Sequence, residues 1–328
     1  MVGLLVGGAV GALAGSTTAE PEAIAPTTTS TTTTTTVPVV AGYPTAEPAE
    51  IELPPITREG DGPIDPLLAI GLGNQEVIVT VTTDGPELLP VTAPGWVMGL
   101  GRSLAAYWDG TWLYLAPLDG GPIARFAAAG QPRNSGEVLG TVVVANGRRT
   151  FFRFNLDGPS TDVVPVLEVP ESIPDGPVDV VDSDNEGVIL RAGNAADYEF
   201  FYAGRDGTVL ELTEALVLAP DAIAVPGTNT GWVDRVAGEP TESPSPELSG
   251  CWPHAFQEDT AMWWCDGGLV VQGSDPAEYP HAGGGGLFDN GRTVLLVDPQ
   301  GSLEVQRPGT EVDVTLDYGD LLVSAVRP

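Results

Sequence analysis

From about residue 64 onward, apolar runs of three to five residues alternate with short polar breaks. The runs are rich in Val, Leu, Phe, Tyr and Trp, and the breaks in Gly, Asp, Asn and Pro. That is the pattern of strands and tight turns. No stretch sustains the 3.6-residue period of a helix for long. The Ala-rich piece at 126–129 stops at Gly130. The pattern predicts an all-β domain over residues 64–328.

Aligning the breaks exposes a repeat of an apolar strand, an Asp-Gly-like turn and another strand. Its copies are Val77-Ile78-Val79-Thr80-Val81 before Asp84-Gly85, Trp112-Leu113-Tyr114-Leu115 before Asp119-Gly120, Phe151-Phe152-Arg153-Phe154 before Asp157-Gly158, and Phe200-Phe201-Tyr202 before Asp206-Gly207. Met262-Trp263-Trp264 before Asp266-Gly267 and Val294-Leu295-Leu296-Val297 before Gln300-Gly301 continue it, with a degraded copy at Trp232-Val233 before Gly238-Glu239. Glycine tolerates the positive φ that such turns need. The turns recur at a mean interval of about 36 residues, near the period of about 40 of a four-stranded propeller blade. The count predicts a β-propeller of seven blades, or six if the degraded copy is not a blade. The alternative is two packed β-sandwich domains. Strands near 312–316 and 321–326 are expected to pair into the first blade and close the ring, hiding an edge.

These repeats, following a low-complexity segment, resemble the broad class of bacterial extracytoplasmic β-propeller domains carried on a leader and a stalk. WD40, kelch and sialidase signatures are absent, so the resemblance implies a fold and assigns no functional residue.

Ahead of the domain, residues 1–15 are apolar, and Ala12-Leu13-Ala14 has the small-x-small form of a signal-peptidase site. No basic residue precedes the stretch, so the alternatives are a leader and a truncated membrane anchor. Residues 16–63 hold a nearly unbroken threonine run at 27–36, then proline and acidic residues. Such a segment buries too little apolar surface to offset its ordering entropy, which predicts a disordered stalk. It spans on the order of 140 Å when stretched.

Charge narrows the partners. The formal net charge is −32, and every one of the 13 basic residues is arginine. That field repels nucleic acid, which is excluded as a partner, and disfavours anionic membrane surfaces. The two cysteines, Cys251 and Cys265, are expected to form a disulfide in an exported chain. Closing a loop of that size contributes about 3 kcal/mol in the chain-entropy model.

Residues 251–286 stand out. They hold both cysteines, both histidines and three of the seven tryptophans. Trp252, His254, Trp263, Trp264, Tyr279 and His281 are the candidate ligand-binding residues, because aromatics supply contact area at little entropic cost. Alternation along a strand turns one of Trp263 and Trp264 inward. No metal or cofactor is expected, since the His and acid spacing matches no ligand pattern. Residues 182–187 look like the start of a calcium loop, but position 12 is Gly193, so an acidic hairpin turn is expected instead. No nucleophile elbow is present. The sequence therefore points to a non-catalytic extracytoplasmic binding or scaffold module for a protein or carbohydrate. The alternatives are a carbohydrate-active hydrolase or lyase with acids at the centre of the ring, and a structural envelope spacer.

Overall fold

A computed structural model describes residues 57–59, 68–72, 75–82, 85–89, 93–136, 138–158, 164–194, 197–226, 231–248, 250–273, 276–280, 282–288, 291–298, 302–306, 314–317 and 322–326. The leader, most of the expected stalk and His281 lie outside them.

Every described strand pair is antiparallel, and the strands form seven sheets. Six have four or five strands and one has three, giving a β-propeller of six full blades and one reduced blade. Blade 1 orders Leu322–Val326, Leu68–Leu72, Gln75–Thr82 and Gly85–Leu88. Blade 2 is Trp96–Leu100, Leu104–Trp108, Trp112–Pro117 and Ala124–Ala127. Blade 3 is Arg133–Ser135, Val138–Ala145, Arg148–Asn155 and Val164–Glu168. Blade 4 is Val178–Ser183, Gly187–Asn194, Asp197–Gly204 and Val209–Leu212. Blade 5 is Val217–Leu218, Ala222–Val225 and Gly231–Asp234. A single bridge, Val233 to Pro240, stands where its fourth strand would be. Blade 6 is Trp252–Gln257, Thr260–Cys265, Gly268–Gln272 and Ala277–Tyr279. Blade 7 is Gly284–Phe288, Thr293–Asp298, Ser302–Gln306 and Val314–Asp317, with Thr57–Glu59 added outside.

From blade 1 through blade 7 the first strands of consecutive blades touch one another, which places them innermost. Each begins on one face of the ring, here called the top. Turns between second and third strands share that face. Turns between first and second strands, and between third and fourth, lie on the bottom.

The core is divided among the blade interfaces. Ile78 of blade 1 packs with Val97, Tyr107 and Tyr114 of blade 2, and Phe151 of blade 3 packs with Val178 and Leu190 of blade 4. Ile189 and Ile223 join blades 4 and 5, Trp232 and Trp263 join blades 5 and 6, and Met262 and Leu296 join blades 6 and 7. Two sandwiches would hold two separate cores. Here the described cores lie between successive sheets around the ring.

Three expectations need correction. Only Leu322–Val326 crosses into blade 1, while Val314–Asp317 remains the fourth strand of blade 7. One strand is enough to complete blade 1, because blade 7 needs the other itself. The domain also starts earlier than residue 64. Thr57–Glu59 pairs with Thr315–Asp317, a short edge addition with too few residues to show a period. Finally, the turns at 119, 157 and 206 join third to fourth strands, but those at 266 and 300 join second to third. Asp-Gly serves either hairpin equally well. The repeat alignment therefore slips by one strand at blade 6, which accounts for the short 27-residue interval between 239 and 266.

Close packing between blades 2 and 3 rests on Gly101. The N–H groups of Ser103 and Leu104 both donate to the Leu156 carbonyl, and Arg102 N–H donates to Asp157 Oδ1 at 2.8 Å. A Cβ on Gly101 would stand 2.2 Å from that Leu156 carbonyl. Gly101→Ala is expected to lose about 1–3 kcal/mol through this overlap. A urea midpoint shift measures it, and an unchanged midpoint contradicts it.

Candidate functional site

A central cavity of about 580 Å³ runs among the inner strands. Met98, Arg133, Asn134, Asp179, Val181, His254, Gly285 and Gly286 line it, drawn from blades 2, 3, 4, 6 and 7. Most of these sit early in their first strands, so the cavity belongs to the top half of the ring. Gly136 narrows its lower end: a Cβ there would meet the Gln257 amide at 2.6 Å and the Leu287 carbonyl at 2.7 Å. The space itself comes partly from the 283–286 glycine run. Blade 7 offers its neighbours a bare inner strand, and a Cβ on Gly285 would meet the Leu295 carbonyl at 2.6 Å.

A repeated device aims side chains into the cavity. The inner strand of blade 2 bulges between Val97 and Gly99, that of blade 6 between Pro253 and Ala255, and that of blade 4 between Val180 and Asp182. The extra residues are Met98, His254 and Val181, and all three line the cavity. A bulge inserts one residue and re-aims its side chain. His254 shares a hydrogen bond between Nε2 and the Gly285 carbonyl at 3.0 Å, joining blades 6 and 7.

The cavity carries the opposite charge to the rest of the chain. Arg191 Nη2 donates to Asp179 Oδ2 at 2.7 Å, and its guanidinium lies 4.5 Å from the Tyr198 ring centroid. Arg133 forms no hydrogen bond or ion pair among the described residues. Two guanidinium groups thus face one carboxylate. Behind Arg133, the Asp182 carboxyl is pushed up by burial. The N–H groups of Leu218 and Ser183 and the charge of Arg133 oppose that shift without cancelling it. Asp182 accepts from Leu218 N–H at 2.8 Å and so ties blade 4 to blade 5.

Beside the cavity lies a recess of about 300 Å³ walled by Trp96, Val97 and Trp108, and bordered like the cavity by Met98 and Gln131. Trp96 is 49% exposed. Trp96 and Trp108 are cross-strand partners on the first two strands of blade 2. Blade 6 repeats the arrangement with Trp252 opposite Trp264, 45% and 38% exposed. The Cys251–Cys265 disulfide closes just outside that second pair and holds the strand ends together at the top face.

All four strongly exposed aromatics of the described residues, Trp96, Tyr198, Trp252 and Trp264, lie on the top. The exposed large apolar residues of the bottom are Val209 and Val236.

No protein-family model matches the chain, and no curated protein matches it in sequence. Solved structures similar to it include BamB from Moraxella catarrhalis, at 12% identity and a TM-score of 0.36 over 81% of this chain and 99% of that one. The β-propeller domain of the Trilobed protease from Pyrococcus furiosus gives 11%, 0.38, 83% and 95%. A putative TolB from Agrobacterium tumefaciens gives 13%, 0.32, 79% and 88%. These are distant likenesses of fold.

The sequence-derived candidates separate. Trp252 and Trp264 are at the surface, and His254 lines the cavity. Tyr279 packs half-buried against the blade 6–7 core. Trp263 must be withdrawn as a ligand contact: it is 1% exposed, with its ring against Trp232 and Phe256. Strand alternation requires one of two consecutive tryptophans to point inward. Residues 182–187 are a hairpin turn in which the Asp184 oxygens are already taken by Arg235 and by the N–H groups of Glu186 and Gly187. Missing from the candidate set were Trp96, Trp108, Arg133 and Arg191. A signal existed for the first two: Trp96 and Trp108 are twelve residues apart, as are Trp252 and Trp264.

Proposed function

We propose that the chain is a non-catalytic binding module that works outside the cytoplasm. In this reading the segment ahead of the edge strand Thr57–Glu59 is a stalk, and the top face of the propeller takes a carbohydrate or protein ligand. The observation that carries the reading is the confinement of exposed aromatics to the face into which the cavity and the recess are set. Exposed ring faces gain contact area on binding with little loss of side-chain freedom. The guanidinium and amide groups between them supply direction. The disulfide suits an oxidising compartment.

Immobilised full-length chain, probed with a glycan array and with extracellular protein fractions, tests this beside the double variant Trp252→Ala/Trp264→Ala. The expected result is a ligand retained by the parent and weakened at least tenfold by the variant. A ligand held equally by both, or a captured glycan found cleaved after incubation, overturns the reading.

A further inference from the structure

We infer that the central cavity and the adjoining Trp96 recess form one subsite for a hexuronic acid, a pyranose ring bearing a carboxylate, either free or ending a short saccharide. The inference rests on the binding reading above and names its ligand class.

The carboxylate has an evident partner. Arg133 is exposed in the cavity with its donors unspent among the described residues. A guanidinium pairs bidentately with a carboxylate, and such charge-assisted bonds are about twice as strong as neutral ones. In a chain of formal net charge −32, a cavity holding two arginines and one aspartate is a local exception. The same net charge disfavours long polyanions, so a single acidic unit fits better than an acidic polymer.

The ring and its hydroxyls are matched by the rest of the lining. Trp96, which is 49% exposed, walls the recess and offers an apolar ring for the C–H face of a sugar. Gln131, Asn134 and His254 offer hydrogen-bonding groups around the same space. Two buried polar atoms there lack partners among the described residues: the donor Trp108 Nε1 in the recess wall and the acceptor Asn134 Oδ1 in the cavity wall. Volumes of about 580 and 300 Å³ suit a small molecule or a chain end rather than a folded partner.

Saturation-transfer NMR and calorimetry on the full-length chain, with D-glucuronate, D-galacturonate, D-glucose and acetate as probes, test the assignment. A uronate should bind at least tenfold more tightly than glucose, and acetate should not compete appreciably. Arg133→Gln should erase the preference for uronate over glucose. Trp96→Ala should weaken both sugars alike, and Val236→Ala, exposed on the bottom face, should leave uronate affinity unchanged. Equal affinity of the parent for uronate and glucose, no uronate binding, or an Arg133→Gln variant that keeps the preference would each overturn it. If uronates fail while another ligand still depends on Trp252 and Trp264, this inference falls and the binding reading stands. If no ligand depends on those tryptophans either, both fall.

Discussion

Replacing Arg235 by alanine is expected to cost about 3 kcal/mol of folding stability, read as a loss in denaturant unfolding. Arg235 follows the third strand of blade 5 and is 4% exposed. Its Nη1 donates to Asp184 Oδ2 at 2.6 Å and to the Pro220 carbonyl at 2.8 Å, and its Nη2 to Asp184 Oδ1 and to the Tyr202 hydroxyl at 2.9 Å each. Burial opposes the charge on the guanidinium, but the bonds it donates to Asp184 and Tyr202 and the Asp184 charge outweigh it, and the pKa is raised on balance. The pair therefore locks the bottom turn of blade 4 to the reduced blade 5. Blade 5 lacks a full fourth strand, so it has less sheet with which to hold its place.

Removing one partner of a buried pair leaves the other charge uncompensated, and such losses reach about 3–5 kcal/mol. The Asp184 side chain is 36% exposed and can be partly rehydrated, which places the estimate at the low end. Tyr202→Phe removes one acceptor and should cost about 1 kcal/mol. The informative variant is the double change Arg235→Met/Asp184→Asn. It removes both charges together, and it should be more stable than Arg235→Met alone. A loss below about 1 kcal/mol for Arg235→Ala would show that the pair is worth no more than a surface ion pair.

The propeller was legible because its signal is local and repeated. Each hairpin carries its own turn residues, and each strand its own apolar run. The blade 6 slip shows the limit of that signal: Asp266-Gly267 and Asp206-Gly207 look alike, yet they close different hairpins. The added strand Thr57–Glu59 was invisible for a related reason, since its partner lies at the far end of the chain. The candidate site was only half legible. Residues 251–265 cluster in sequence and drew attention to Trp252, Trp264 and His254. The cavity lining does not cluster: Met98, Arg133, Asp179 and His254 meet only because inner strands from separate blades converge. Bulges decide which residue points inward, and a bulge has no fixed residue signature. What the sequence did hold was the twelve-residue tryptophan spacing, which marks two blades with the same top edge.

The same strand offers the sharpest contrast between core and surface. Trp263→Ala is expected to lose about 3–5 kcal/mol, whereas Trp264→Ala, one residue on, should lose no more than about 1 kcal/mol. The Trp263 ring lies 5.9 Å from that of Trp232 and 5.5 Å from that of Phe256, and these last two meet edge-on at 6.0 Å. The three rings fill the interface of blades 5 and 6, and truncation would leave a cavity where neither sheet can collapse easily. Trp264 faces solvent opposite Trp252, so its truncation removes one cross-strand contact. Trp263→Phe separates volume from chemistry. The indole Nε1 of Trp263 is buried without a partner among the described residues. Phenylalanine removes that orphaned donor and keeps most of the ring contact, so its loss should stay under about 1.5 kcal/mol. Thermal and chemical denaturation of the three variants measure all of this, with ligand capture as the opposite readout: Trp264→Ala should impair capture while keeping the fold. Equal stability losses at 263 and 264 would mean that both rings are packed, and the top face would then lose one of its four aromatics.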